Sequence, residues 1–322
     1  MITIAGAGVA GLACAYEMSR SGAAVTVFEQ QEQPGAASAS WYAGGMLAPW
    51  CEGETAPTEV VRLGAAALGW WSRITEVTSH GILVVAPHRD RAELTRFARR
   101  TKKHRAVNEV EIAQLEPALA GQFCSGLYYD EEAHLDPRRA LHDLAEAAAA
   151  QGADIRYGIP APAKVDVDCR GIAADLPGLR PVRGEMAVIE APEVHITRTI
   201  RLLHPRLPLY LVPRGHDRYM IGATMIESGG NGPVSVRSML ELLGAAFALH
   251  PALGEARVIE TGTGLRPAFA DNMPRLTKVG RTLHLNGLYR HGFLLAPALA
   301  IQLARTLLED KTNEYSRERR TA

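Results

Sequence analysis

Apolar residues near the N-terminus occur in short continuous runs, typical of buried strands, and at helical spacing, typical of an amphipathic helix. Short apolar runs at residues 1–5 and 24–28 predict strands, and small and apolar residues at helical spacing in 9–19 predict a helix between them. Gly22 is placed to end that helix. Residues 30–40, rich in Gln, Gly, Ala and Ser, predict a loop. The strand–helix–strand order is typical of a parallel α/β sheet.

The middle of the chain changes to the alternation that antiparallel strands show. Residues 185–189, 210–213 and 219–224 predict such strands, and a strand at 282–286 followed by a helix at 296–308 returns to the N-terminal theme. The other predicted elements are helices at 60–74, 91–105, 136–152 (opened by Asp136-Pro137) and 235–249, and strands at 81–86, 154–157 and 164–169.

Charge and cysteine content exclude several classes of protein. Lys+Arg and Asp+Glu both number 35, so no basic excess points to nucleic acid or to an acidic membrane surface. The four cysteines form no CxxC pair, which argues against a zinc site or a disulfide framework. No run approaches the length of about 20 apolar residues that spans a bilayer, and the start lacks a basic signal-peptide region. We therefore predict a cytoplasmic protein without metal.

A glycine motif follows the first predicted strand. Gly6, Gly8 and Gly11 fit GxGxxG, and Glu29 ends the next strand 18 residues later. In dinucleotide-binding folds these glycines allow a tight turn, close approach of the pyrophosphate and close helix–strand packing, and the acidic residue binds a ribose. The helix N-terminus offers amides to the phosphates. A structural turn in an unrelated α/β protein is the alternative.

The motif alone does not separate FAD from NAD(P). Its place near the start, the antiparallel region inserted before a returning strand and helix, and the absence of a second GxGxxG favour FAD. We predict an α/β fold (α+β overall) with a Rossmann-like FAD-binding domain and a discontinuous antiparallel-sheet substrate domain. Residues 1–78, 125–182 and 262–322 are assigned to the first domain, and 79–124 and 183–261 to the second.

Further segments carry a resemblance to a known family. They are AGGMLAP at 43–49, YLVPR at 210–214 with GATM at 222–225, GLRP at 264–267 and YRHGFLLAP at 289–297. Together with the N-terminus they resemble the D-amino-acid oxidase superfamily, and within it the glycine oxidases of thiamine biosynthesis. The resemblance implies FAD-dependent oxidation of glycine or a similarly small amino acid to the imine, hydrolysed to glyoxylate, with O2 reduced to H2O2.

The resemblance also implies roles for particular residues. Arg266 would bind the substrate carboxylate with Arg290 beside it, and Tyr210 and Met225 would line the substrate cavity. The residues expected to contact FAD are Gly6, Gly8, Val9, Ala10, Gly11, Glu29, Gln30, Ser40, Gly44, Gly45, Met46, Leu288, Tyr289, Arg290, His291, Gly292, Phe293 and Leu294. No residue is assigned as a catalytic base. Thiazole synthase is an expected partner, and similar enzymes are tetramers.

The chain departs from the family pattern in places. It is shorter between residues 157 and 169, and the turn before the last helix has Leu288 and His291 where the family has histidine and asparagine. No cysteine lies near 264–267, where the sarcosine oxidase branch attaches its flavin, so we predict non-covalent FAD.

Alternatives remain at this stage for function and for single residues. A D-amino-acid or sarcosine-type enzyme could pass electrons to an acceptor other than O2, and a silent flavoprotein could act within a thiazole-forming complex. Arg266 could instead form an interdomain salt bridge, and Tyr210 or Met225 could be core side chains.

Overall fold

The computed structural model describes residues 1–204 and 208–321, with side chains up to residue 308. The strands are β1 Ile2–Ala5, β2 Val25–Phe28, β3 Met46–Leu47, β4 Ile82–Val85, β5 Arg105–Asn108, β6 Ser125–Tyr129, β7 Ala133–His134, β8 Asp154–Arg156, β9 Val167–Asp168, β10 Arg180–Glu190, β11 Thr199–Leu202, β12 Leu209–Pro213, β13 Arg218–Gly222, β14 Arg257–Ala268, β15 Arg275–Val279 and β16 Thr282–Asn286. The α-helices are α1 Val9–Arg20, α2 Pro49–Glu52, α3 Thr58–Gly64, α4 Ala67–Trp71, α5 Arg91–Arg100, α6 Glu109–Leu115, α7 Pro137–Ala150, α8 Val236–Leu249 and α9 Gly292–Thr321.

The first of two compact units comprises Met1–Trp41, Arg138–Arg180 and Arg266–Ala322. Its sheet has the order β15-β16-β9-β1-β2-β8, and every pair is parallel except β15 with β16. Strands β1 and β2 are apolar and almost wholly buried, as parallel strands covered on both faces are. Helix α1 packs against α9. The Rossmann-like prediction is therefore confirmed.

The second unit comprises Tyr42–Pro137 and Pro181–Leu265. Its eight-stranded sheet has the order β14-β10-β13-β12-β11-β4-β6-β5. The pairing is antiparallel for β10 with β13, for β13 with β12 and for β12 with β11, whereas β11 and β4 run parallel. Alternate residues such as Leu209, Leu211 and Ile221 pack with α8 in one core. The predicted substrate-domain sheet is confirmed, with one parallel pair added.

Two predicted helices were wrong in extent. The helix predicted at 60–74 is divided into α3 and α4, and the break follows Gly64, a residue that costs helix stability. The helix predicted at 91–105 ends at Arg100, where the Thr101 hydroxyl donates to the Phe97 carbonyl and Lys103 takes a positive φ of 60°. Among the described helices, none is long and apolar enough to cross a membrane.

Several strands were missed because their sequences do not alternate cleanly. The missed strands are β3, β5, β6, β7, β11, β14 and β15. In β11 the charged Arg201 is buried, since its guanidinium pairs with Glu54 at 2.8 Å and stacks on the rings of Phe97 and Tyr210. In the region that is short relative to the family, residues 157–166 are described and contain no strand.

The boundaries of the two compact units differ from the predicted domain boundaries at residues 42–78 and 125–137. Both segments were predicted to belong to the FAD-binding domain, whereas their contacts group them with the second unit. The physical reason is strand pairing: β3 pairs with β7, and β6 lies between β4 and β5 in the eight-stranded sheet. Hydrogen bonds between distant segments of this kind leave no trace in local hydrophobic periodicity.

A buried carboxyl group follows β6. Glu132 is fully buried, and its Oε1 accepts a hydrogen bond from the Cys51 backbone amide at 2.7 Å. Burial raises the pKa of Glu132 from 4.5 to about 8, against the lowering effect of the Cys51 hydrogen bonds. The folded protein therefore holds a proton on Glu132 between these two pH values, while the unfolded chain releases it.

This difference predicts a pH-dependent stability. The unfolding free energy should fall as pH rises from 4.5 to about 8, because the unfolded chain binds fewer protons in that window. Glu132→Gln removes this dependence, so its stability relative to wild type should grow by roughly 2–4 kcal/mol across the window. Chemical denaturation at both ends of the window measures this. Glu131→Gln changes the exposed neighbour and is the matched control; an equal pH response in both variants contradicts the assignment.

Candidate functional site

The glycine turn between β1 and α1 has steric requirements of its own. Gly6 has a positive φ of 93°, and a Cβ there would lie 3.1 Å from the Cys169 carbonyl oxygen. A Cβ on Gly11 would collide with the Gly6 carbonyl oxygen. Gly8 is different, because a Cβ there would make ordinary contacts of 3.6–3.7 Å with Ser38 and Ser40. The protein's own packing thus explains Gly6 and Gly11, and Gly8 leaves the turn open to a ligand.

The start of α1 offers backbone amides to such a ligand. Its N-cap, Gly8, provides no side-chain cap, and the Val9 amide reaches only the Ser40 hydroxyl at 3.3 Å. The first amides of a helix have no intrahelical partner and carry partial positive charge. Ala10 and Gly11 complete this first turn and are buried. An open glycine turn and an uncapped helix start fit a dinucleotide pyrophosphate, so these residues suit FAD.

Glu29 lies at the carboxyl end of β2 beside the same turn. Its carboxylate accepts hydrogen bonds from the Ala7 amide at 2.8 Å and from the Gln31 amide at 2.9 Å. Gln30, between them in sequence, is exposed. Glu29 therefore holds the glycine turn directly, and its predicted contact with a ribose would use the remaining acceptor capacity of the same carboxylate.

Sequence reasoning missed the segment that follows β9. Arg170 lies 3.2 Å from the position of a Cβ on Gly6, and its guanidinium binds the Asp168 carboxylate at 2.6–3.1 Å. Gly171 has a positive φ of 59°, and its carbonyl accepts from the Asn286 side chain at 2.8 Å. The available signal was an Arg-Gly pair directly after an apolar strand. The strand was predicted at 164–169, but no function was assigned to the Arg-Gly pair that follows it.

The turn that leads into α9 comes close to the GLRP segment. The Tyr289 amide donates to the Pro267 carbonyl at 2.9 Å, and Tyr289 has a positive φ of 50°. The rings of Tyr289 and His291 form an edge-to-face pair at 6.1 Å. The side chains of Leu288, Phe293 and Leu294 are buried, whereas Gly292 is partly exposed at the start of α9.

Arg266 and Arg290 belong to this turn region of the first unit. Burial lowers the pKa of Arg266 to about 10; the neighbouring Tyr289 raises it, and the like charge of Arg290 lowers it further. Two partly buried guanidiniums, close enough for the charge of one to lower the pKa of the other, favour the binding of an anion between or beside them. A carboxylate is the anion that a guanidinium binds with two parallel hydrogen bonds.

The second unit carries the other predicted substrate residues. Tyr210 and Met46 pack against a small cluster of Met186, Val212 and Met220. The Tyr210 hydroxyl lies 3.4 Å from Glu52 Oε1. The structure thus brings Tyr210 and Met46 to the same cluster.

In the same unit, Met225 is exposed, whereas the AGG segment is held by backbone contacts. Met225 follows β13, is 49% exposed and lies outside the Tyr210 cluster. Gly45 has a positive φ of 69°, and its carbonyl accepts from the Leu135 amide at 2.9 Å. A Cβ on Gly45 would collide with the Leu135 carbonyl oxygen, so glycine is required there. Within the described part of the chain, no group of His, Cys, Asp and Glu side chains could hold a metal ion.

Glu29→Ala should weaken FAD binding by roughly 1.5–3 kcal/mol, the scale of hydrogen bonds to a charged group. The variant loses the hydrogen bond from the Ala7 amide as well as any contact with the ribose. Glu29→Gln keeps an acceptor oxygen for one amide and should lose less. Fluorescence titration of the apoprotein with FAD measures both, and wild-type affinity in Glu29→Ala would show that neither contact matters.

Comparison with known proteins places this geometry in a family. The sequence model described as "FAD dependent oxidoreductase" matches residues 1–306. The chain is 53% identical to the putative thiamine biosynthesis oxidoreductase ThiO of Rhizobium etli, over 96% of this chain and 97% of that protein. It is 27% identical to the bifunctional protein ThiO/ThiG of a Nostoc species, covering 100% of this chain and 55% of that protein. The crystal structure of glycine oxidase from Geobacillus kaustophilus shares the fold, with a TM-score of 0.80, 23% identity and coverage of 96% and 94%. The resemblance found in the sequence is confirmed, and the chain belongs to the FAD-dependent oxidoreductase family.

Proposed function

We propose that this protein oxidises the C–N bond of glycine or a similarly small amino acid to the imine, which water hydrolyses to glyoxylate, while O2 is reduced to H2O2. The observation that carries the proposal is the partly buried Arg266, whose pKa the neighbouring Arg290 lowers, next to the turn that leads into α9. The names of the relatives, a thiamine biosynthesis oxidoreductase and a glycine oxidase, support the substrate class.

Arg266 would bind the substrate carboxylate through two parallel hydrogen bonds. Such a pair fixes the position of the carboxylate and also the plane in which it lies, and thereby limits the orientation of Cα. Arg290 adds a second positive charge that favours the anion. Arg266 is partly buried, and a carboxylate bound there would be a charged acceptor for its guanidinium.

The remaining requirement is orientation of the amine and exclusion of water. When bound, FAD supplies the two-electron acceptor that substrate oxidation needs. The substrate amine must be neutral so that its lone pair can form the imine, and no strong protein base is then required. The role of Tyr210 in lining the substrate cavity stays a prediction.

The imine of glycine, dehydroglycine, is also the precursor that we expect thiazole formation for thiamine to consume. In the Nostoc relative a ThiO part and a ThiG part are joined in one bifunctional protein. This supports the proposal that the present chain supplies dehydroglycine for the thiazole moiety, with thiazole synthase as partner. The cytoplasmic location, the homo-oligomeric state and the remaining FAD contacts stay predictions.

Anaerobic mixing with a substrate panel tests the proposal. Glycine should bleach the yellow flavin absorbance, sarcosine and D-alanine serve as size comparisons, and admission of air should restore the colour with H2O2 formation. No bleaching by any amine of the panel contradicts the proposed reaction. Bleaching without recovery in air would instead identify a dehydrogenase that uses another acceptor.

Arg266→Ala should lower kcat/KM by about 10²- to 10⁴-fold, because the carboxylate loses both its charge partner and its orientation. Arg266→Lys should recover only part of the activity, since an ammonium cannot reproduce the planar two-pronged contact. Glycolate should perturb the flavin spectrum of the wild type and leave that of the alanine variant unchanged. Steady-state kinetics and spectral titration measure these effects.

The control for Arg266 is an arginine of the same unit with a surface role. Arg275 pairs with the exposed Asp271 at 2.7 Å, so Arg275→Ala should leave kcat/KM near the wild-type value. If Arg266 only joins structural elements, its alanine variant will melt at lower temperature and still turn over at close to the wild-type rate. That result would remove Arg266 as the carboxylate anchor.

A further inference from the structure

Arg214, the last residue of the YLVPR segment, holds several backbone carbonyls of the second unit. Its Nη2 donates to the carbonyl oxygens of Ala43 at 3.2 Å and Gly44 at 2.9 Å, and its Nη1 donates to that of Leu135 at 3.3 Å. Its Nε lies 3.7 Å from the Asp136 carboxylate, and the side chain is only 11% exposed. The largely buried guanidinium of Arg214 thus donates hydrogen bonds to several carbonyl oxygens in and near the AGG segment.

This arrangement fixes the direction of two consecutive peptide groups. In a trans peptide the C=O and the following N–H point in opposite directions. With the carbonyls of residues 43 and 44 directed to Arg214, the amides of Gly44 and Gly45 point away from it. Within residues 1–204 and 208–321, neither amide donates to a protein acceptor.

An amide without a partner needs an explanation at a buried position. Gly45 is buried, and a buried backbone N–H that lacks an acceptor costs free energy. A Cβ on Gly44 would make ordinary van der Waals contacts of 3.8–4.0 Å with the Met46 and Val212 side chains, so the protein's own packing does not require glycine there. Two neighbouring backbone donors that have no protein acceptor form a site for an electron-rich group.

We propose that Arg214 is a positioning residue that orients the Gly44 and Gly45 amides for hydrogen bonding to FAD. The inference rests on the proposed function, because the resemblance assigns this segment to the cofactor. By binding the carbonyl oxygens, Arg214 keeps their partial negative charge away from the cofactor and leaves the positive ends of the same peptides facing it. Amide donors of this kind stabilise the reduced, more electron-rich state of a flavin relative to the oxidised state.

Purified holoenzyme variants test this role through the cofactor. Arg214→Ala should weaken FAD binding by about 10- to 100-fold, the loss expected when two hydrogen bonds become misaligned. The reduction potential of the bound flavin should shift to more negative values, because the reduced state loses more than the oxidised state. Arg214→Lys, which can still contact a carbonyl oxygen, should recover part of both properties and keeps the test available if the alanine variant does not fold.

Arg198 is the matched control in the same unit. It is also 11% exposed, donates to the His80 carbonyl at 2.7 Å and pairs with Glu116 at 3.2 Å. Arg198→Ala should lower the melting temperature without changing the flavin potential or spectrum. Equal shifts of potential in both alanine variants would reduce Arg214 to a general stabilising residue.

Unchanged FAD affinity and potential in the Arg214 variants would overturn the proposal outright. None of these measurements needs substrate turnover. A protein that fails to oxidise glycine can therefore still confirm the role of Arg214, and a protein that oxidises glycine can still contradict it.

Discussion

The close approach of α1 to β1 is the constraint on which the first unit depends. A Cβ on Gly11 would collide with the Gly6 carbonyl oxygen, so at this point the helix lies directly against the backbone of the turn that follows β1. At the other end of the chain, Gly292 begins α9, and a Cβ there would lie 3.3 Å from a Val9 methyl group. The first and last helices therefore pack together, and the turn that carries Arg290 is held at the same end of the sheet as the glycine turn.

Much of the first unit could be predicted from sequence because its determinants are local. The GxGxxG spacing, the apolar runs of β1 and β2 and the acidic residue at 29 lie within thirty residues of one another. Arg266 could be singled out only through the resemblance, since an arginine between Leu265 and Pro267 carries no periodic signal. Its setting is defined by Tyr289 and Arg290, which are distant in sequence.

The second unit was harder to predict because its buried charged side chains are stabilised by partners that are distant in sequence. Arg201 interrupts an apolar run, and only its contacts with Glu54 and Phe97 explain its burial. Arg183 in β10 is likewise buried against Glu185 and also binds the carbonyls of Gly230 and Pro233. Local hydrophobicity indicates that such residues are exposed, so β11 was not predicted and β10 was predicted too short. A second source of difficulty is strand pairing: residues 42–78 group with the second unit by their contacts, and the pairing of β3 with β7 has no local signal in the sequence.

The bonds of Glu29 bear on how the flavoprotein is assembled in the cell. Because this carboxylate already holds the amides of Ala7 and Gln31, the glycine turn is organised by the polypeptide itself. Preorganisation of this kind lowers the ordering cost of association. The cofactor would then meet a turn whose backbone is already in place, so less of its binding free energy would be spent on ordering the chain.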